Sequence, residues 1–425
     1  MAVLDRISAL FTPASKSENT GEHGHRMDLH SGLPFWLVRN GLGPAYPPLG
    51  TDVRTDVVVV GGGITGALCA YHLAEAGVAV VVVDARTIGT GSTCASTALL
   101  QYEIDTPLHE LKELVGLDHA VRSYLACARS IGQLEAIARK IGASDFAYHP
   151  SVQYASKASH VEGLRKEATL RNEHGLAVEL LEGSEVMRVI PFEAPAALRS
   201  SLAAQMDAWR FTHALHAHSA QLGVAVHERT EVVDFRDHGA GIELRTSAGH
   251  RIHAKHLIYA TGYESRHLLP KDVIDLNSTY AIVSEAGCSE EPWAENALIW
   301  ETATPYLYMR TAPDGRIIVG GRDEPFRSPA LRDALLAKKA EALIQDINGL
   351  FPDLGLRKEF AWCGTFGSTK DGLPYIDRSP TDAHSWFALG MGGNGITFSL
   401  IAAEILRDRI LGRANIEAEL FRFDR

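Results

Sequence analysis

The segment Asp56-Val-Val-Val-Val-Gly-Gly-Gly-Ile-Thr-Gly-Ala, a helical stretch after it, and then Val80-Val-Val-Val-Asp84 leave few folds open to this chain. Short valine runs bounded by glycines read as buried parallel strands. Between them Gly61, Gly63 and Gly66 form a Gly-x-Gly-x-x-Gly turn. In such a turn the first glycine permits a tight bend and the second lets a pyrophosphate approach the backbone. The third lets the helix pack close to the strand. The start of that helix presents free N–H groups and a partial positive charge to phosphates. Asp84 closes the second strand about 20 residues beyond the glycines, where a carboxylate accepts hydrogen bonds from a ribose. Strand, turn, helix, strand and acid in this order predict a dinucleotide-binding βαβ unit.

The chain has 425 residues, 46% hydrophobic and 22% charged, enough for two domains of a soluble globular protein. A formal net charge of −11 argues against nucleic acid or an anionic membrane as the main partner. Cys69, Cys94, Cys127, Cys288 and Cys363 are odd in number and widely spaced. That disfavours a disulfide framework, a zinc site and a thiol–disulfide reductase. The N-terminus lacks the apolar core of a signal peptide, and no segment reaches the ~20 apolar residues of a membrane span. A cytoplasmic location is expected. His213, His216 and His218 share a helix with Phe211, Leu215 and Leu222 but have no carboxylate company. They read as a solvated face, and no metal is expected.

Residues 1–30 are polar and aperiodic, which predicts a partly ordered tail, and Pro44, Pro47 and Pro48 make an extended lead into the first strand. The helix after Gly66 buries Ala67, Leu68, Ala70, Leu73 and Ala74 and stops at Gly77. Helices are predicted over 107–142, 160–175, 212–222 and 331–350. Strands are predicted at Val152, at Val178, after Gly223 and from Glu231, followed by two hairpin strands and a separate strand His256–Tyr259. Residues 276–325 read as strand-rich, with Tyr306-Leu-Tyr-Met-Arg as one strand, and the last segment from Trp386 reads as strand, glycine turn and helix.

Four segments occur in sequence order: the βαβ unit, Tyr259-Ala-Thr-Gly262, Lys370-Asp-Gly-Leu-Pro-Tyr-Ile and Gly392-Gly-Asn-Gly-Ile-Thr-Phe. Together they resemble the D-amino-acid oxidase family of FAD-dependent amine oxidoreductases, over roughly residues 50–411. The resemblance implies an α/β (α+β overall) fold in which a Rossmann-like FAD-binding domain is interleaved with an antiparallel-sheet substrate domain. On this chain the division is a lead-in over 1–50, FAD-binding segments 51–145, 206–265 and 365–425, and a substrate domain from 146–205 and 266–364. It implies that Gly61, Gly63, Ile64, Thr65 and Gly66 cradle the FAD pyrophosphate, that Asp84 holds the adenosine ribose, and that Ala85 and Arg86 flank it. Ser92, Thr93, Ser96 and Thr97 would pass the ribityl chain, Val232 would lie against the adenine, and Thr261 and Gly262 would close the pyrophosphate side. Gly392, Gly393, Asn394, Gly395, Ile396 and Thr397 would turn helix N–H groups toward the flavin pyrimidine ring. Negative charge grows there on reduction, and a helix N-terminus stabilises it.

The expected reaction is oxidation of an amine C–N bond by hydride transfer to flavin N5, giving an imine that hydrolyses, with O₂ or another electron acceptor completing the cycle. Substrate candidates are Tyr306, Tyr308, Arg310, Tyr263, Trp362, Phe366 and Thr397. Members of the resembling family that take amino acids carry cations where this chain has Phe366, Gly393 and Thr397. A carboxylate ordinarily demands such a cation, so a small-molecule amine is favoured. An α-amino-acid oxidase or dehydrogenase anchored by Arg310 or Arg322 is the alternative, and a non-catalytic FAD-bearing electron-transfer subunit is another. Ile318 replaces the lysine that sarcosine oxidases hold near the flavin, which keeps dehydrogenase activity open. FAD is expected to be non-covalent, because Cys363 is one residue out of register with the attachment cysteine of some relatives. Glu103 and Asp105 read as an exposed turn after the flavin loop.

Overall fold

The computed structural model describes residues 28–41, 43–269, 272–287 and 291–425. The tail expected over residues 1–30 therefore lies outside the described residues up to residue 27, as does Cys288. Two large sheets organise the described residues.

The first sheet runs in the order Tyr375–Arg378, Ser385–Leu389, Arg251–Tyr259, Val53–Val60, Val80–Val83 and Ala225–His227. The pairs from Ser385–Leu389 to Ala225–His227 are all parallel. Val57, Val58 and Val59 are fully buried, as a parallel strand covered on both faces requires. The hairpin Val232–Asp237 and Ile242–Thr246 extends Arg251–Tyr259 antiparallel. The strand expected at His256 is not a separate one: it is the second half of the continuous element Arg251–Tyr259. Its first half bonds the hairpin, and its end bonds Ser385–Leu389 in parallel.

The helix Ile64–Glu75 starts directly beyond Val53–Val60 and buries Ala67, Leu68, Ala70, Leu73 and Ala74. It packs against Ala208–Gln221 and Gly395–Ile410. A hydroxyl pair, Thr65 to Ser399 at 2.7 Å, ties its first turn to the last helix. The approach of helix to strand is very close: a Cβ on Gly66 would sit 1.8 Å from the Gly61 carbonyl oxygen.

The second sheet is antiparallel except where Leu298–Glu301 runs parallel to Ala147–Tyr154. Its centre is Lys358–Ser368, Asp275–Ser284, Ile317–Pro325 and Tyr308–Thr311. Two pieces from the other side of the sequence boundaries join it: His30–Gly32 pairs with Lys358–Ser368, and Leu99–Gln101 pairs with Ala196–Gln205. The predicted strand at Tyr306 begins only at Tyr308, because the chain bends through Pro305 first. No helix among the described residues is long and apolar enough to cross a membrane.

Gly66→Ala should therefore destabilise the fold by about 1–3 kcal/mol, the range for forcing extra atoms into a packed interior. The denaturant midpoint of the purified variant checks this; an unchanged midpoint would mean that the helix can retreat from Gly61.

Candidate active site

A cleft of about 480 Å³ runs between the two sheets, from the Gly61 turn to Trp300, Tyr306 and Tyr308. At its first end Gly61 has φ +109°, and a Cβ there would lie 2.5 Å from the Ala260 carbonyl oxygen, so the strand end accepts only glycine. A Cβ on Gly63 would meet the Thr93 hydroxyl at 2.9 Å, and the Ile64 N–H donates to that hydroxyl at 3.0 Å. Asp84 accepts the Gly62 N–H on one oxygen and the Arg86 N–H on the other, each at 2.7 Å. Burial raises its pKa, and these two amides hold it back. Arg86 forks onto Glu264 at 2.8 and 2.9 Å.

Behind this turn His216 lies fully buried, its Nε2 3.0 Å from the Gly62 carbonyl oxygen. Burial lowers its pKa to about 4, so a neutral ring donates to that carbonyl. His213 is buried against Trp209 and stacked on Tyr46, while His218 pairs with Glu75 at 2.7 Å. The three histidines are thus not a solvated face. The helix Ala208–Gln221 lies flat on the nucleotide-binding unit, so two of them turn inward. Among the described residues no three His, Cys, Asp or Glu side chains could hold a metal.

Of the residues assigned to the cofactor, Gly61, Gly63, Ile64, Thr65, Asp84, Ala85 and Arg86 line the cleft. So do Ser92, Thr93, Ser96, Thr97, Val232, Thr261 and Gly262, and then Gly392, Gly393, Asn394, Gly395 and Ile396. Two do not. Gly66 sits behind the turn against Gly61, and the buried Thr397 hydroxyl donates to the Asn394 carbonyl at 2.9 Å. Asn394 itself donates to the Gln101 and Glu103 carbonyls at 3.0 and 2.8 Å, which pins the last turn to the segment opposite. The arrangement fits FAD: the cleft begins where glycines leave room for a diphosphate, and the buried Thr261 hydroxyl has no protein partner.

At the far end, Tyr306, Tyr308 and Phe366 line the cleft, joined by Trp300 and Thr279, which the sequence reading missed; Tyr263 lines it too, but beside Gly367 and next to Glu264. The Tyr308 ring lies across Gly320, where a Cβ would meet it at 2.3 Å. Trp362 does not reach the cleft; it is buried and donates to the Ala95 carbonyl at 2.8 Å. Neither proposed carboxylate anchor reaches it either. Arg310 is buried 5.0 Å over the Trp36 ring and donates to the Ala98 and Met206 carbonyls at 2.9 and 3.3 Å. Arg322 points outward to Asp346 at 2.7 Å. Cys363 faces the Ser31 carbonyl and Asp333 and is also outside the lining.

Three carboxylates line the far end instead: Glu103, Asp105 and Asp323. Asp105 is exposed, as the sequence suggested, and accepts the Tyr306 hydroxyl at 3.0 Å and the Gly393 N–H at 2.9 Å. Glu103 is not exposed; it is 6% accessible, with Arg171 3.6 Å away on one oxygen and no hydrogen-bond partner on the other. Arg171 is buried between the Tyr102 and Tyr124 rings and bonds Glu167 at 2.7 Å. Burial would raise Glu167, but Arg171 and hydrogen bonds from His109 and the Leu108 amide win, leaving it at about 2. Asp323 escaped the sequence reading altogether. Arg322 at φ +60° and a register shift opposite Ser278 and Tyr280 make a β-bulge that sends Arg322 out and Asp323 in. The Gly320-Gly321 pair inside the strand was the sole signal available for it. Burial pushes the Asp323 carboxyl up to about 6, with Asp105 adding to the rise and Thr279 and Lys339 opposing it.

The family model described as FAD dependent oxidoreductase (DAO) matches residues 56–409, and the chain belongs to this family. Glycine oxidase of Bacillus licheniformis is 27% identical over 84% of this chain and 94% of its own length. Gamma-glutamylputrescine oxidoreductase of Escherichia coli is 24% identical over 91% of each chain. The solved L-proline dehydrogenase from P. horikoshii superposes with a TM-score of 0.75 at 20% identity, covering 87% of this chain and 97% of that one. That likeness establishes a shared fold.

Asp323 is held charged at a cost to the folded state. Because its folded pKa lies above the unfolded value, it contributes stability below about pH 4 that is lost as pH rises through about 6. Asp323→Asn should therefore raise the unfolding free energy of the cofactor-free protein by about 1–3 kcal/mol at neutral pH. The gain should shrink toward zero below about pH 4, as denaturant titrations at several pH values would show.

Proposed function

We propose that this member of the FAD dependent oxidoreductase family oxidises the C–N bond of an amine that bears no carboxylate at the reacting carbon, with FAD held non-covalently in the cleft. One observation carries the substrate half of this reading. Glu103, Asp105 and Asp323 line the far end, and among the described residues Arg86, at the other end, is the single Lys or Arg in the lining. An α-carboxylate brought there would meet Asp105 and Asp323, and the nearest cation, Arg171, lies outside the lining and is already committed to Glu103 and Glu167, whereas an ammonium group would be attracted.

FAD, when bound, supplies the acceptor for the hydride on the carbon beside nitrogen, leaving an imine for water to hydrolyse. The chain's own part is binding and orientation. The Gly63 amide and the free amides of the helix that follows would hold the diphosphate, while the Thr93 hydroxyl takes the Ile64 N–H, and Asp84 would take the ribose hydroxyls. The start of Gly395–Ile410 faces the cleft and would stabilise negative charge developing on the isoalloxazine ring. Non-covalent binding is supported by the position of Cys363 outside the lining. Ile318 is buried in the second sheet, at about the position where sarcosine oxidases carry a lysine, so O₂ and another electron acceptor both remain open to this chain. The resemblance to gamma-glutamylputrescine oxidoreductase agrees with an amine substrate.

Purified protein should carry or take up FAD, seen as a flavin absorbance band, and Asp84→Ala should weaken FAD binding by about 1–3 kcal/mol in a fluorescence titration. The decisive experiment is an anaerobic panel of amines and α-amino acids read by flavin bleaching. Bleaching by amines supports the reading, and bleaching by amino acids alone overturns it.

A further inference from the structure

Glu103 and Asp323 both belong to the cleft lining, and each has one carboxylate oxygen unspent. The buried Oε2 of Glu103 and Oδ1 of Asp323 have no hydrogen-bond partner, whereas both oxygens of Asp105 are taken, by the Tyr306 hydroxyl and the Gly393 N–H. The two sit on separate elements: Glu103 follows the strand Leu99–Gln101, and Asp323 stands on Ile317–Pro325. Arg171 neutralises part of Glu103 from behind, but its position against Tyr102 and Tyr124 keeps it out of the lining. A buried, unpaired carboxylate is costly, and a cation arriving at it recovers that cost.

Three aromatic rings share this lining. Trp300 and Tyr306 lie 5.9 Å apart and Tyr306 and Tyr308 5.7 Å, centroid to centroid. Such rings accept methylene groups on their faces and also attract ammonium ions. From two acids of the lining on different segments, each with one unpaired oxygen, and an aromatic wall, we infer that the substrate carries two amino groups on one aliphatic chain, an α,ω-diamine or polyamine. One nitrogen reacts and the other is held by a carboxylate, with Asp323 the main determinant. The burial that pushes the Asp323 carboxyl up is relieved when a cation sits beside it, which agrees with this assignment. The inference rests on the amine-oxidising reading above and narrows its substrate.

The test compares straight-chain α,ω-diamines with n-alkylamines and mono-N-acetylated diamines of matched length, on the FAD-loaded enzyme. In the wild type kcat/KM for the diamine should exceed that for either partner by about tenfold to hundredfold, the value of a hydrogen bond to a charged group. Asp323→Asn should collapse this ratio toward unity, mainly through KM, and Glu103→Gln should reduce it. Equal kcat/KM for diamine and alkylamine in the wild type overturns the inference even if a variant fails to fold. So does a preference that survives in folded Asp323→Asn enzyme. Flavin bleached equally by all amines leaves the broader reading standing while removing this one; flavin bleached by amino acids alone removes both.

Discussion

The contact on which the rest of the molecule depends is the approach of Gly66 to the carbonyl of Gly61, too close for any side-chain carbon. It sets the helix Ile64–Glu75 end-on to the strand Val53–Val60, so that its free N–H groups open at the sheet edge. From that position Thr65 reaches Ser399, and the last helix is fixed in turn. Asn394 at the start of that helix then grips the carbonyls of Gln101 and Glu103. One steric fact thus passes from the nucleotide end of the cleft to its far end through two hydrogen-bonded steps.

The far end is built on a different principle. Where the first end depends on the absence of side chains, this one depends on charges held in place. Glu103 is kept in the wall by Arg171, which is itself enclosed by Glu167, Tyr102 and Tyr124. Asp323 is turned inward by a bulge that stores strain in Arg322. Both devices cost folding free energy.

How much of this was legible follows from the range of each interaction. The βαβ unit is local: its residues stand within thirty or so positions of one another, so spacing alone expresses the turn, the helix and the acid. The glycine turn before the last helix is local in the same sense. Asp323 is different, because an aspartate in a strand carries no sign of a bulge beyond its neighbouring glycines, and the cross-strand register decides which way it points. Arg310 misled for the complementary reason. Its place on the strand Tyr308–Thr311 suggested the cleft. Alternation does put it on the face of the strand that carries Tyr308, but two residues further along that face it is covered by the Trp36 ring and the Ala98 and Met206 carbonyls, outside the cleft. The histidines of Ala208–Gln221 were read as solvated because helix periodicity alone does not reveal which neighbours cover a helix on a second side.

The sequence by itself determined the cofactor class and the βαβ frame, because glycine spacing and valine runs act through contacts between near neighbours in the chain. Only the tertiary structure decided the character of the far end of the cleft. Glu103, Asp105, Trp300, Tyr306 and Asp323 are brought together by the pairing of strands far apart in sequence, and no local pattern records which side chains such pairing will turn toward one another.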